Sequence, residues 1–237
     1  MKIIAHIETD MPAKFGVPRQ SGLVKELRGR IVFEEPYRVK EAFKGLEGFS
    51  HLWILWQFSE VDREYDEEYW SPSVKPPRLG GKTKMGVFAT RSPFRPNRIG
   101  LSSVKLEEIQ YDKELGPVLL VSGVDMMDQT PVYDIKPYLA YVDAHPEAMD
   151  GFAARSRDYR LEVIFSEKWL SMIPEQKREG ILGVLSADPR PAYHDDEERI
   201  YGVEYAGFDV RFRVAEHVLT VCEVEDLGGR RYNSHDS

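Results

Sequence analysis

Three polar strings in this chain hold the residues able to do chemistry. FGVPRQSGLV, starting at Phe15, sets Arg19 and Gln20 in a loop bounded by Pro and Gly. FATRSPFRPNRIGLS, starting at Phe88, sets Arg91, Arg95 and Asn97 around the ends of a strand. DMMDQTPVYDIKPYL, starting at Asp125, sets Asp125, Asp128, Asp134 and Lys136 in a strand–turn–strand. Each string is also sound turn chemistry, because Asn and Asp close tight turns with their own side chains and Pro presets φ. Three loops rich in Arg, Asn and Asp on one small β unit are expected to line a site.

The charge distribution says what kind of ligand the site meets. Tyr69 to Leu106 holds Lys75, Arg78, Lys82, Lys84, Arg91, Arg95, Arg98 and Lys105, and no acidic residue. The chain carries −8 and this segment +8, so the remainder carries −16. Ordinary solvated faces mix both signs. Segregation this sharp points to an anionic ligand, and Gly80, Gly81, Gly86 and Gly100 let the backbone come close to it. Because a pI near 5.4 excludes a wholly basic binder, any nucleic acid must be held by a local patch.

Several reaction classes lack their parts. GGKT at Gly80–Thr83 has Pro76 where a phosphate-binding loop needs its first glycine, and no strand-to-helix setting. No G-x-G-x-x-G follows a strand, so a dinucleotide site is not expected. No G-x-S-x-G elbow is present. The six histidines show no zinc-site spacing, and His51 reads as a packed or hydrogen-bonded residue. A single cysteine, Cys222, excludes an internal disulfide framework and a cysteine-cluster metal site. No apolar run is long enough to span a bilayer and the first residues lack a signal peptide's apolar core, so a cytoplasmic protein that needs no metal is expected.

The elements that must position these loops are mainly β. Period-2 alternation predicts strands over 2–8, 51–58, 84–91, 102–111, 118–126 and 132–135, separated by Pro and Gly at short intervals. That is the pattern of an antiparallel barrel. A short helix is expected at 36–44, with Val39, Ala42, Phe43 and Leu46 on one face. The fold class expected is thus mainly β with an α+β addition. An antiparallel β-barrel spans 1–142 and a polar linker 143–157. A small domain spans 158–226, built from a strand at 160–165, a helix over 167–185 broken at Pro174, and a three-stranded meander. Residues 227–237 form a tail expected to be disordered.

Certain strings carry more than turn chemistry. PRQSGLV at 18–24, EGFSHLWIL at 47–55, PPRLGG at 76–81, MGVFATRSPFRPNRIGLS at 85–102, DQTPVYDIKPY at 128–138 and DPRPAY at 188–193 resemble the TsaA-like family, specifically its TrmO branch of tRNA methyltransferases. The resemblance covers most of the chain, and DPRPAY points to the two-unit form. It implies a homodimeric β-barrel enzyme that uses S-adenosylmethionine without a Rossmann fold, with cofactor sites near the subunit interface. It implies N6-methylation of the threonylcarbamoyl-modified adenosine beside the anticodon of threonine tRNA. Noncatalytic RNA binding, or methylation of another RNA or a small molecule, are the alternatives.

Carried onto this chain, the resemblance implies cofactor contacts at Pro18, Arg19, Gln20, Ser59, Glu60, Arg91, Leu101 and the turn Met127, Asp128, Gln129 and Thr130. Gln129 stands where the family usually has Gly, a residue that accepts positive φ. Methyl transfer from a sulfonium needs collinear approach above all. The acceptor nitrogen also bears a carbonyl and is a poor nucleophile until its proton leaves. Asp134 and Asp128 are the carboxylates available, with Lys136 or Tyr138 orienting; alternatively, Asp134 and Lys136 form a structural pair. Charge segregation assigns Lys75, Arg78, Lys82 and Lys84 to tRNA phosphates, with Arg95 beside them. Arg190 and Tyr193 of DPRPAY are expected to touch the anticodon loop or close over the base, or else DPRP is only a tight turn.

Overall fold

The computed structural model describes residues 1–58, 70–76, 83–156, 158–190 and 196–228. Six strands close into an antiparallel barrel: β1 (Ala5–Thr9), β2 (Arg28–Phe33), β3 (His51–Gln57), β6 (Ile99–Asp112), β7 (Gly116–Ser122) and β8 (Thr130–Pro137). Their order round the barrel is β1-β2-β7-β6-β3-β8. Closure leaves no edge strand to pair with a stranger. The inward faces are the apolar beats of the alternation: Ile7, Ile31, Leu52, Ile54, Val104, Val121 and Val132 are all buried. A short pair, β4 (Ser73–Val74) with β5 (Met85–Gly86), stands apart from the barrel.

Three expectations need correction. β2 was not expected, because Gly29 takes one of its inward beats; an added Cβ there would stand 3.0 Å from Ile7. The strand expected over 84–91 is only Met85–Gly86, after which the chain coils into a 3-10 turn at Val87–Ala89. Thr90 Oγ1 donates to the Val87 carbonyl at 2.8 Å and closes that turn. The helix expected at 36–44 is instead three separate 3-10 turns at Glu35–Tyr37, Lys40–Phe43 and Leu46–Gly48. Only Phe43 there is fully buried, edge-on to Phe33 at 4.8 Å, while Val39 is exposed. None of the three turns has a side-chain cap, and Gly45 adopts φ +89°, so no helix propagates.

After α1 (Ala140–Asp143) and a 3-10 turn at Gly151–Ser156 the chain builds a second sheet. It contains β9 (Glu162–Ile164), β10 (Tyr201–Tyr205), β11 (Phe208–Ala215) and β12 (Val218–Asp226). The last three form the meander, and β9 adds a fourth strand parallel to β12. The helix breaks at Pro174, as expected, into α2 (Glu167–Leu170) and α3 (Glu175–Ser186). Ile181, Val184 and Leu185 of α3 are buried. No helix among the described residues is long and apolar enough to cross a membrane.

The connection from β1 to β2, residues 10–27, is packed against the second sheet and its helix. Lys177 Nζ lies 2.6 Å from Asp10 Oδ2, and the Ala206 amide donates to the Asp10 carbonyl at 2.9 Å. Phe15 stacks on Tyr201, with ring centroids 6.5 Å apart. Gly16 lies at φ +97° under Val203, whose Cγ2 would be 2.2 Å from an added Cβ. Gly183 of α3 admits Val24 in the same way. The loop that carries Arg19 and Gln20 is therefore held from the second unit.

Candidate functional site

Three chain-distant segments meet at one end of the barrel. Arg91 leaves the 3-10 turn at Val87–Ala89, and its Nη1 donates to Gln20 Oε1 in the β1–β2 loop. The loop after it is knitted internally: the Ser92 amide bonds Thr90 Oγ1, and the Phe94 amide bonds Ser92 Oγ, both at 3.3 Å. Arg95 Nη1 donates to the Thr90 and Ser92 carbonyls at 2.9 and 3.3 Å. That guanidinium braces the loop from within.

The third segment brings Asp125, which the sequence reading placed in the string but did not assign. Its Oδ1 accepts the Ser102 hydroxyl at 2.6 Å, and Ser102 Oγ accepts Trp56 Nε1 at 2.9 Å. The Ser21 main chain bonds the carboxylate from the Gln20 side, and the Arg91 charge acts on it as well. Burial pushes the Asp125 carboxyl up to about 6, against those three stabilising partners. A carboxyl raised to about 6, with a buried hydroxyl bonded to it and an arginine charge acting on it, is a functional-site signature. Its sequence signal was weak: an Asp just past an apolar strand looks like turn chemistry until its surroundings are known.

The turn 127–130 is pinned to β1. Thr9 N donates to Asp128 Oδ1 at 3.0 Å, Asp128 N to the Met11 carbonyl at 2.8 Å, and Gln129 N to the Ile7 carbonyl at 2.7 Å. Gln129 takes the left-handed conformation, φ +60°, that its family's glycine would adopt freely. Thr130 faces the barrel interior and is buried, whereas Gln129 is exposed. Pro18 is buried and Arg19 exposed; Arg19 Nη2 donates to the Arg190 carbonyl at 2.9 Å.

The catalytic candidates sit on the outside of the barrel. Leu101 of β6, Leu55 of β3 and Asp134 of β8 occupy one row across three strands. Leu101 is 54% exposed. Asp134 Oδ2 pairs with Lys136 Nζ at 2.7 Å, and both are largely exposed. Tyr138 packs obliquely on Trp53, centroids 5.4 Å apart, and on His51 at 6.2 Å. Register thus links Asp134 to Leu101, while a hydrogen bond links Gln20 to Arg91, whose charge acts on Asp125. His51 itself is exposed and shares a 2.9 Å contact with Ser50 Oγ.

Among the residues expected on RNA, Lys75 and Lys84 are exposed and extend the β4–β5 pair from its Val74–Met85 partners, so they stand side by side. Arg190 is different. Its guanidinium is clamped by Asp188 at 2.9 and 3.2 Å, with both side chains largely buried, and its carbonyl holds Arg19. Asp188 and Arg190 therefore brace the β1–β2 loop. Ser59, Glu60, Arg78, Lys82 and Tyr193 lie outside the described residues. One open cleft of about 710 Å³, lined by Lys40, Phe49, Ile109 and Tyr111 among others, contains no candidate residue. Among the described residues no group of three or more His, Cys, Asp or Glu is placed to hold a metal ion.

Comparisons with known proteins agree with this architecture. The family model described as the tRNA-methyltransferase O N-terminal domain matches residues 6–144, and that of the TrmO C-terminal domain matches 158–227. A tRNA (adenine(37)-N6)-methyltransferase of Escherichia coli is 42% identical over 94% of this chain and 96% of its own. A putative S-adenosylmethionine-dependent methyltransferase of Pseudomonas aeruginosa is 38% identical over 88% of this chain and 90% of its own. The crystal structure of TrmO from Pseudomonas aeruginosa superposes with a TM-score of 0.73 at 33% identity, covering 94% of this chain and 97% of that one.

Proposed function

The chain belongs to the tRNA-methyltransferase O family, and on that premise we propose how its residues divide the work. It is an S-adenosylmethionine-dependent tRNA adenine-N6 methyltransferase. The acceptor we assign is the threonylcarbamoyl-bearing N6 of the adenosine beside the anticodon of threonine tRNA. Two units cooperate, a barrel over 1–142 and a bracing unit over 158–226.

The observation that supports the cofactor site is the meeting of Gln20, Arg91 and Asp125 at the barrel end. This donor set fits a zwitterionic amino-acid tail. Arg19 and Arg91 offer guanidinium donors to a carboxylate, and Gln20 and Asp125 offer acceptors to an ammonium. The main chain of Met127, Asp128 and Gln129 adds polar groups at the rim, and exposed Leu101 gives an apolar contact for a base. Pro18 shapes the loop, Thr130 anchors the turn, and Ser59 and Glu60 complete the assignment. S-adenosylmethionine, when bound, supplies an electrophilic methyl on a sulfonium. The chain's own task is to hold the adenine N6 in line with that methyl and to remove its proton. Asp134 takes the proton, with Lys136 fixing the carboxylate and Tyr138 bordering the acceptor. Lys75, Arg78, Lys82 and Lys84 hold the anticodon-loop phosphates, with Arg95, Arg190 and Tyr193 around them.

Mass spectrometry of tRNA nucleosides after incubation with enzyme and methyl donor tests the reaction, and an unmodified pool would sink it. Calorimetry tests the cofactor site: Arg91→Ala is expected to weaken donor binding about tenfold or more, as loss of a charge-assisted hydrogen bond does. An unchanged affinity removes Arg91 from the site. We place the active form as a cytoplasmic homodimer whose interface completes the site; light scattering that returns a fully active monomer contradicts this.

A further inference from the structure

Trp70 and Phe88 form an exposed aromatic pair on the basic segment. Their ring centroids lie 6.2 Å apart with an interplanar angle of 23°. Trp70 is 42% exposed and Phe88 73%. Single exposed apolar side chains are ordinary on a protein surface, but two stacked rings make a flat π-surface facing water.

The pair is held in place from both sides. Ser73 and Val74 pair with Gly86 and Met85, so the short chain segments after Trp70 and before Phe88 are tied together. The Val87 amide donates to the Pro72 carbonyl at 3.0 Å, and the Ser71 amide to the Phe94 carbonyl at 3.1 Å. Val87, next to Phe88, is buried and anchors the turn that turns Phe88 outward. Lys75 and Lys84 flank the same strand pair, both exposed.

We infer that Trp70 and Phe88 are a stacking platform for an unpaired base of the RNA substrate, beside the lysines that hold its phosphates. This rests on the reading of the chain as a tRNA methyltransferase. A base presents a π-face whatever its identity, and aromatic platforms next to a positive groove are the usual means of holding single-stranded nucleic acid. With centroids 6.2 Å apart the rings leave no room for a base between them, so the base adds to the free face of Phe88. A second copy of this chain is the competing occupant. A twofold interface centred on this pair would set the exposed Lys75 and Lys84 against their own copies, whereas RNA complements them.

The test uses the full chain with an anticodon stem-loop RNA and a fully paired hairpin of the same stem, titrated at several salt concentrations. Phe88→Ala and Trp70→Ala are expected to weaken stem-loop binding roughly five- to a hundredfold with the salt slope intact, since stacking releases no counterions. Phe88→Tyr should retain affinity, Phe88→Leu should not, and the paired hairpin should be insensitive to all of them. Lys84→Ala should instead flatten the salt slope by about one unit. If Lys84→Ala behaves so while the aromatic variants bind like wild type, the platform is wrong and the RNA reading stands. If the wild type binds no stem-loop, the reading of the substrate falls and the platform with it. If the aromatic variants bind RNA normally but lower the mass in light scattering, the pair is a self-interface and the inference is overturned.

Discussion

Gln129 stands at φ +60°, in a turn whose neighbours Asp128 and Gln129 are both bonded by their amides to the first strand and the loop after it. Those bonds dictate the backbone, and the residue must accept the strain. A left-handed conformation costs a non-glycine residue roughly 1–2 kcal/mol, while glycine forfeits about 0.5–1 kcal/mol through its freer unfolded state. Gln129→Gly should therefore stabilise the protein by up to about 1 kcal/mol in thermal or denaturant unfolding. A net loss would show that the exposed glutamine side chain contributes a contact of its own; its only described bond is a long 3.4 Å one to Asp128.

At the scale of elements, Asp125 is where the end of β7, the start of β6, the middle of the barrel wall and the β1–β2 loop are joined. Trp56 donates to Ser102, Ser102 to Asp125, and the Ser21 main chain closes the junction from the loop. Burial lifts this carboxyl from 3.8 to about 6, while Ser102, Ser21 and Arg91 pull it down. The folded protein thus binds this proton more tightly than the unfolded chain does. Its contribution is most favourable below about pH 4 and falls as pH rises towards 6, by roughly 2–3 kcal/mol in total, with no further change above. Asp125→Asn should flatten the pH dependence of unfolding in that window. Ser102→Ala should move the loss to higher pH, because the hydroxyl no longer favours the charged form. A wild-type profile in Asp125→Asn would mean the carboxyl ionises without cost.

For the whole molecule, the second unit acts as a brace. It touches the β1–β2 loop through Lys177, Val203, Tyr201 and the Arg190 carbonyl, and a continuous apolar core runs from Ile7 and Met11 to Val203 and Phe212. At Gly16 the two approach too closely to admit a side chain. Gly16→Ala adds a methyl into Val203 and forces an L side chain to φ +97°. Such a change should cost about 2 kcal/mol or more in stability. It should also weaken methyl-donor binding although Gly16 is not among the assigned donor contacts, because Arg19 and Gln20 ride on the same loop. Calorimetry below the unfolding temperature separates the two effects; unchanged donor affinity would mean the loop keeps its shape without the brace.

Much of this was legible in the residues. Alternation along β1, β3, β6 and β8 predicted inward and outward faces, because the pleat gives a period of two whatever lies beyond the strand. The charge-segregated segment and the six family strings were legible for the same reason, being properties of the chain alone. The break at Pro174 was too, since proline removes its own amide. Where neighbours decide, the sequence was silent. Gly29 hid β2, because its inward beat is supplied by Ile7 from another strand. The 3-10 turns replaced a helix because only Phe43 is fully buried, with Tyr37 and Leu46 packed at the edge of the core. Arg95 and Arg190 were expected at the RNA, and only the fold shows that they also hold a loop's carbonyls and Asp188. Asp125 became the tuned carboxylate only when three distant segments closed over it. Desolvation and hydrogen bonding are sums over surroundings in space, so only the tertiary structure could assign them.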